Sequence, residues 1–191
     1  AIHAAMPNMP ISIDTYHSAV AKAAIDAGAS IVNDISCGNF DSKMISTVVA
    51  NQVGYIGMHQ TGNPSTMHEV QNRSDIIKTM IDYFNEKKKQ FAAIGLTQWI
   101  IDPGFGFSKT KAENFELVKS LAQLKALDLP ILLGLSRKSS IYKTLGVDAE
   151  AALNGTTVLN TIGLMGGANI LRVHDVKEAK EAIILINEMN A

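Results

Sequence analysis

The chain has 191 residues (20.5 kDa), 47% of them hydrophobic and 18% charged. Because the apolar residues suffice for one sizeable core, this composition excludes a disordered chain, a collagen-like repeat and a coiled coil. The formal net charge of −1 provides no basic footprint for nucleic acid, and a single cysteine, Cys37, excludes a disulfide framework. With no apolar run of roughly 18 residues and no opening signal segment, we expect a soluble, cytoplasmic protein.

Short β-branched runs alternate with longer stretches of helical periodicity. Residues 1–10 are predicted to be the end of a helix and its loop. The predicted strands are 11–13, 31–32, 55–58, 99–101, 131–133 and 170–173, and the predicted helices are 18–27, 42–51, 75–93, 113–127, 151–165 and 176–189. Parallel neighbours need crossover connections, so this alternation predicts a parallel sheet covered by helices.

The spacing of the strands indicates a barrel. Successive predicted strands start about 32 residues apart on average, close to the roughly 31 residues per unit of a (β/α)₈ TIM barrel. We therefore predict that residues 1–191 form one barrel domain without an internal boundary. In this prediction the chain supplies six βα units, strands 3–8, and lacks the first two. An open, doubly wound sheet of six strands is the alternative at this length.

Every predicted strand ends in polar residues. The segments concerned are 12–15, 33–34, 58–59, 102–104, 136–138 and 172–175. A helix N-cap explains a single Asp or Asn at such a place, as we expect for Asp34 and Asp175. Six polar ends together predict a concave polar site, because α/β folds bind their ligands at the carboxyl ends of the strands.

The last predicted strand indicates an anion site. Arg172 and His174 are two residues apart, so their side chains point to the same side, while Val173 faces the helices. Two such groups repel each other unless an anion lies between them. Pairing of Arg172 with a neighbouring carboxylate is the alternative. The segment 136–140 opens a helix, and its backbone N–H groups with Lys138 form a second candidate site for an anion or a carbonyl.

Two strand-end carboxylates, Asp14 and Asp102, are predicted to be buried. Either one can make charge-assisted hydrogen bonds to a ring rich in N–H donors. Asp102 opens the run Asp-Pro-Gly-Phe-Gly-Phe, in which Phe105 or Phe107 can cover a flat ring.

Other candidates are weaker. His59 and His68 are nine residues apart and no Cys or carboxylate completes a ligand set, so we expect no protein-caged metal. The run 87–89 of three lysines is predicted to be a solvated helix face. Cys37 has no nearby base in the sequence and is not predicted to be catalytic.

Six segments resemble the dihydropteroate synthase family, in the family's order. They are Ile-Ser-Ile-Asp-Thr (11–15), Val-Asn-Asp-Ile (32–35), Met-His-Gln-Thr-Gly-Asn-Pro-Ser-Thr-Met (58–67), Asp-Pro-Gly-Phe-Gly-Phe (102–107), Ser-Arg-Lys-Ser (136–139) and Arg-Val-His-Asp-Val (172–176). The resemblance implies a TIM-barrel transferase of folate biosynthesis, a target of sulfonamides. The family joins 7,8-dihydropterin-6-ylmethyl diphosphate to 4-aminobenzoate and releases pyrophosphate.

The resemblance also implies a role for each matching residue. The pterin ring would be bound by Asp14, Asn33, Met58, Asp102, Phe107, Gly134 and Lys138. Arg172 and His174 would bind the diphosphate, and Ser139 would lie on the aminobenzoate side. Asp14, Asp102, Lys138 and Arg172 would be catalytic. Mg²⁺ would arrive with the substrate diphosphate, and the partners would be these small molecules and a second copy of the chain in a homodimer.

The first two strands of the family pattern, with the loop Asn-x-Thr-Pro-Asp-Ser-Phe, have no counterpart in this sequence. In the family that loop helps to bind diphosphate and Mg²⁺, so the 191 residues alone are predicted to be inactive. Two other classes stay open: a pterin-binding methyltransferase domain, which has no need of two anion sites, and a non-catalytic pterin-binding module.

Overall fold

The computed structural model describes residues 1–62, 66 and 73–189. The described residues contain six short strands, all with parallel partners. They are β1 (Ser12–Asp14), β2 (Ile31–Asp34), β3 (Gly54–Met58), β4 (Ile100–Asp102), β5 (Leu132–Leu133) and β6 (Ile170–Leu171). Each of the six predicted strands is confirmed.

Eight α-helices connect the strands of this part of the chain. They are α1 (Ile2–Ala5), α2 (Ser18–Asp26), α3 (Met44–Asn51), α4 (Ile76–Ile94), α5 (Lys111–Lys119), α6 (Ser139–Leu145), α7 (Leu153–Met165) and α8 (Val176–Met189). The single helix predicted over 113–127 is wrong, because α5 ends at Lys119 and a 3₁₀ helix, Leu121–Leu127, follows it after Ser120. No helix among the described residues is both long and apolar enough to cross a membrane.

The strand order separates the two predicted architectures. The strands β1 to β4 form one sheet in chain order, and β5 pairs with β6 in a second sheet. A parallel bridge between Ile101 and Ile131 joins the two sheets, and the Ile101 amide donates to the Pro130 carbonyl at 2.9 Å. Each strand therefore lies next to its predecessor in the chain, which is the topology of a barrel wall, whereas a doubly wound sheet reverses its strand order. The partial TIM barrel is confirmed.

The hydrophobic core lies between the outer face of this wall and the helices. Val32, Tyr55, Ile101 and Leu133 from the strands pack there with helical residues such as Phe84. Trp99 is also part of this core, with an exposed fraction of 3%. On the inner face, a cavity of about 510 Å³ lies beside the unpaired edges of β1 and β6. Its lining combines aliphatic side chains with Asp14, Asn33 and Arg172.

Candidate functional site

The first two strand ends place two polar side chains in direct contact. Asp14 and Asn33 are register partners at the carboxyl ends of β1 and β2, and the Asn33 amide donates to the Asp14 carboxylate at 2.8 Å. Asn33 is buried, and its own Oδ1 has no hydrogen-bond partner among the described residues. Because a buried, unsatisfied acceptor is costly, this oxygen is a ready partner for an N–H group of a ligand.

The prediction that Asp14 is buried is wrong. Asp14 is exposed, because β1 is an edge strand with a neighbour on one side only. Its second carboxylate oxygen lies 2.5 Å from the Arg172 guanidinium, an ion pair in which each side chain is about half exposed. Arg172 is thus paired with a carboxylate, which is the alternative that the sequence left open to an arginine facing only an anion. Asp14 and Arg172 therefore connect the pterin side and the diphosphate side of the predicted site.

Asp102 is buried at the end of β4, as predicted. One of its oxygens accepts from the Gly104 amide at 2.7 Å. Burial raises the pKa of Asp102, and this effect is opposed first by the charge of Lys138. Gly134 lies beside the second oxygen of Asp102, since a Cβ built on Gly134 would be 4.0 Å from Oδ2 of Asp102 and 3.7 Å from Cβ of Arg172. Met58, the register partner of Asp102 on β3, is buried.

Lys138 lies over the loop that follows β4. Its ammonium group donates to the Phe105 carbonyl and is 4.6 Å from the centre of the Phe107 ring. Burial lowers the pKa of Lys138 to about 8, the Asp102 carboxylate opposes this shift, and the Arg172 charge adds to it. Of the two phenylalanines considered for covering a ring, Phe105 is fully buried in the core, whereas Phe107 is only partly buried and faces Lys138.

The anion-binding candidates line one separate cavity of about 450 Å³. Its walls are Gly134, Ser136, Arg137, Lys138, Arg172, Val173 and His174. The strand β6 ends at Leu171, but the Arg172 amide still donates to the Leu133 carbonyl at 3.0 Å. The His174 ring nitrogen Nδ1 lies 3.0 Å from the Ser136 hydroxyl. The two predicted anion segments therefore come together in one place, and exposed Ser139 begins α6 beside them.

Sequence reasoning missed Lys109. This lysine is 5% exposed, and its ammonium group lies 2.9 Å from the Gly104 carbonyl, 3.1 Å from the Phe107 carbonyl and 3.1 Å from Nδ1 of His59. Burial lowers its pKa to about 7 although the Asp102 charge opposes the shift. Lys109 thereby ties the loop carrying Phe107 to the end of β3. Its position two residues after the Gly-Phe-Gly-Phe run is a signal, but the sequence does not show that the loop folds back over it.

The same loop is held by contacts to α5 that sequence reasoning also missed. The Gly106 amide donates to the Asn114 side chain at 2.6 Å, and Thr110 with Glu113 forms a capping box at the start of α5. Arg73 donates to the Ser108 carbonyl at 2.8 Å. A loop fixed in this way can hold Phe107 in one orientation without the ligand.

The structure places other candidates outside the site. His59 is buried, and burial together with the Lys109 charge holds its pKa well below the usual range, while His68 lies outside the described residues. Asp34 is no helix N-cap: it accepts from the Ser36 amide at 2.8 Å and the Tyr55 hydroxyl at 2.8 Å. Cys37 is fully buried, and burial raises the pKa of its thiol to about 12.

Lys87 corrects the prediction of a solvated helix face over 87–89. Its exposed fraction is 7%, and its ammonium group donates to the Asn39 side chain at 2.6 Å. The neighbouring Lys88 is partly buried and donates to the Leu127 carbonyl, so only Lys89 matches the prediction of an exposed face.

The side chains of the described site do not fit a protein-held Mg²⁺ ion. Mg²⁺ prefers oxygen ligands in octahedral geometry. The anion cavity offers the cations Lys138 and Arg172, and both oxygens of nearby Asp14 already accept hydrogen bonds. Among the described residues, no group of three or more His, Cys, Asp or Glu side chains could hold a metal ion.

Comparison with known proteins gives a family for this site. Residues 1–174 match the family model of the pterin binding enzymes. A dihydropteroate synthase from Synechocystis is 39% identical over 173 residues, covering 89% of this chain and 60% of its own length. The chain thus spans about three fifths of that curated relative. A Yersinia pestis dihydropteroate synthase in a sulfonamide drug complex superposes with a TM-score of 0.93 at 30% identity, covering 99% of this chain and 69% of the other.

A second solved structure is that of the Thermus thermophilus dihydropteroate synthase in complex with 6HMPPP. It has a TM-score of 0.89 and 31% identity, and the match covers 96% of this chain and 73% of the other. The chain belongs to the pterin binding enzyme family, and the relatives that it matches there are dihydropteroate synthases.

Proposed function

We propose that this chain carries the substrate sites of a dihydropteroate synthase, which condenses 7,8-dihydropterin-6-ylmethyl diphosphate with 4-aminobenzoate and releases pyrophosphate. The observation that carries the proposal is the placement of a buried carboxylate, Asp102, beside a cavity bordered by Lys138 and Arg172. A pterin presents several N–H donors, and a diphosphate presents anionic oxygens. The two halves of one substrate thus match the two neighbouring sets of side chains.

The pterin half fits the carboxylate side of the site. Asp102, and the Asn33 oxygen without a partner among the described residues, are acceptors for ring N–H groups. Phe107, Met58 and Gly134 supply a partly apolar surface for a flat ring, and Asp14 reaches the same ring once it is free of Arg172. A carboxylate that binds paired N–H donors in a buried place makes strong and oriented hydrogen bonds.

The diphosphate half fits the opposite side. Arg172 and His174 would bind the departing pyrophosphate, and Lys138 lies between them and the ring. In the reaction the C–O bond to the diphosphate breaks and its electron pair leaves with the pyrophosphate. The amine of 4-aminobenzoate then forms the new C–N bond and loses a proton. Positive charge develops on the methylene conjugated to the ring, where Asp14 and Asp102 stabilise it, while Arg172 stabilises the leaving anion.

Ser139 is proposed to contact the aminobenzoate, because it begins α6 at the exposed rim next to Lys138. Sulfonamides, which bind the Yersinia pestis relative, would compete at this rim. Mg²⁺ is proposed to enter bound to the substrate diphosphate rather than to protein ligands. The homodimer and the cytoplasmic location remain proposals from the resemblance. Exposed apolar residues on α7, Val158, Ile162 and Met165, offer a face for a second copy.

Calorimetry with two ligands tests the proposal. Pteroic acid and inorganic pyrophosphate are titrated separately into the 191-residue chain, and each is expected to bind. Binding of pteroic acid without pyrophosphate would instead favour a methyltransferase domain or a non-catalytic pterin-binding module. Binding of neither ligand contradicts the assignment of both subsites.

A further inference from the structure

Arg137 is the arginine of the Ser-Arg-Lys-Ser segment, and its side chain makes its hydrogen bonds outside that segment. The side chain of Arg137 forms a two-armed contact with Asp175, in which Nε and Nη2 each donate to a different carboxylate oxygen at 2.8 Å. The Arg137 guanidinium holds the pKa of Asp175 below its usual value. The two residues are 38 positions apart, and each directly follows a residue of the anion cavity, namely Ser136 and His174.

Nη1 and the backbone amide of Arg137 also donate to acceptors within the protein. Its Nη1 donates to the Ala149 carbonyl at 2.9 Å and also to the Glu150 carbonyl. Its backbone amide donates to the Thr156 hydroxyl at 3.0 Å, and its φ of 54° is in the left-handed region. Four guanidinium contacts use most of its five N–H donors. Arg137 borders the anion cavity but directs its charge into the protein.

This ion pair joins the two segments that form the walls of the cavity. On one side Arg137 precedes Lys138, and on the other Asp175 follows His174 and directly precedes α8. The contact between the Ser136 hydroxyl and the His174 ring is a second link between the same segments. The spacing between Lys138 and His174 therefore depends on whether these links are intact.

We propose that Arg137 and Asp175 form a positioning pair, which sets the distance between the ring-side Lys138 and the anion-binding Arg172 and His174 without touching the ligand. The proposal deepens the proposed function, because it rests on the cavity being the diphosphate site. Binding at such a site requires donors held within a fraction of an ångström. When either partner is lost, Lys138, Arg172 and His174 are still present, but the distance between Lys138 and the other two is no longer fixed.

The test uses Arg137→Ala, Asp175→Asn and the double variant in the 191-residue chain. If these residues acted only through their charges, Arg137→Ala would weaken pyrophosphate binding and Asp175→Asn would strengthen it. A positioning pair predicts that both single variants weaken binding by about tenfold or more, and that the double variant is no weaker than either single one. Arg137→Lys keeps the charge but loses the two-armed contact, so it should also weaken binding.

A second measurement does not depend on the ligand. The pH midpoint of Lys138 labelling by an amine-reactive reagent is followed by peptide mass spectrometry. Charge alone would raise the midpoint in Arg137→Ala and lower it in Asp175→Asn, whereas a change in spacing shifts it in the same direction in both. Lys177→Ala, which breaks the exposed pair with Glu181 on α8, is the control and should change neither measurement.

The outcomes distinguish a failure of the positioning pair from a failure of the proposed function. Opposite effects of the two single variants, or unchanged affinity and midpoint, overturn the positioning pair even when pyrophosphate binds the unaltered chain. If the unaltered chain binds no pyrophosphate, the proposed function fails, and the direction of the labelling shifts still decides whether the pair positions Lys138. Thermal unfolding of each variant shows that the comparison is made between folded chains.

Discussion

Arg172 donates from Nη2 to the Asp14 carboxylate at 2.5 Å and so bridges β1 and β6, the two outermost strands of the described barrel wall. The residues are 158 positions apart in the chain. The family resemblance implies that Asp14 lies on the pterin side of the site and Arg172 on the diphosphate side. We expect each residue to release the other in part when a substrate binds, which would couple the two halves of the proposed site through this contact.

This coupling predicts opposite effects of two substitutions on pyrophosphate binding. Arg172→Ala should weaken binding by about tenfold or more, since a charge-assisted contact is lost. Asp14→Asn should strengthen binding by about threefold, because the competing carboxylate charge is gone and an exposed pair contributes little. Calorimetry with pyrophosphate measures both. Weaker binding in Asp14→Asn would contradict the competition, and unchanged binding in Arg172→Ala would place the anion at the turn 136–140.

Asp102 is expected to dominate pterin binding. Asp102→Asn removes the charge and turns one acceptor oxygen into a donor, which should weaken binding of a pterin ligand by roughly 2–5 kcal/mol. The asparagine can still accept from the Gly104 amide, so the loop should keep its conformation. Calorimetry with pteroic acid is the measurement, and Asp82→Asn on the exposed face of α4 is the control. Equal affinity of Asp102→Asn and the unaltered chain would sink the assignment.

Lys138 should react with amine-directed reagents at unusually low pH. Its pKa of about 8 means that the neutral, nucleophilic form is abundant at pH 8, whereas an exposed lysine is almost fully protonated there. Asp102→Asn should lower the labelling midpoint, because the carboxylate raises this pKa. Arg172→Ala should raise the midpoint, because the guanidinium lowers it. Exposed Lys143 on α6 is the internal control, and the same midpoint for both lysines would contradict the electrostatic account.

Lys109 is expected to be essential for the loop that holds Phe107. Lys109→Met removes the ammonium donor from the Phe107 carbonyl and leaves the Gly104 carbonyl with only the Phe107 amide, which should lower the free energy of unfolding by about 2–5 kcal/mol. Thermal and urea unfolding measure this loss, and Lys111→Met, exposed at the start of α5, is the control. Binding of pteroic acid below the melting temperature should also weaken. A variant as stable as the control would show that the buried ammonium group does not hold the loop.

The sequence predicts the architecture well because the barrel repeats itself. Strand spacing and polar strand ends are local features, and they place Asn33, Asp102 and Arg172 at one end of the wall. Burial of single side chains depends on neighbours that the local pattern does not contain. Asp14 is exposed since β1 is an edge strand. Lys87 is buried with its ammonium group next to Asn39 and the rings of Tyr83 and Phe91.

Long-range polar pairs were the hardest to predict. Asp175 has the sequence signature of a helix N-cap, and only the fold shows that both its oxygens bind Arg137. Lys109 likewise follows a glycine-rich run, and in the sequence the glycines are a stronger signal than the lysine. The close approach of Gly104 to the His59 carbonyl, 2.1 Å from a built Cβ, explains why glycine is needed there. The contacts of Lys109 depend on that approach and cannot be inferred from spacing.

The most direct test of the central claim is an assay for dihydropteroate, with the pterin diphosphate, 4-aminobenzoate and Mg²⁺ as reactants. It compares the 191-residue chain with the same chain preceded by two further βα units that close the barrel. We expect such units to supply a lid that keeps water from the reactive methylene. The account predicts product and stoichiometric pyrophosphate from the closed barrel, their loss in Asp102→Asn, and no detectable product from the 191 residues alone. Absence of product from the closed barrel would contradict the synthase assignment, and full turnover by the 191 residues would show that no lid is required.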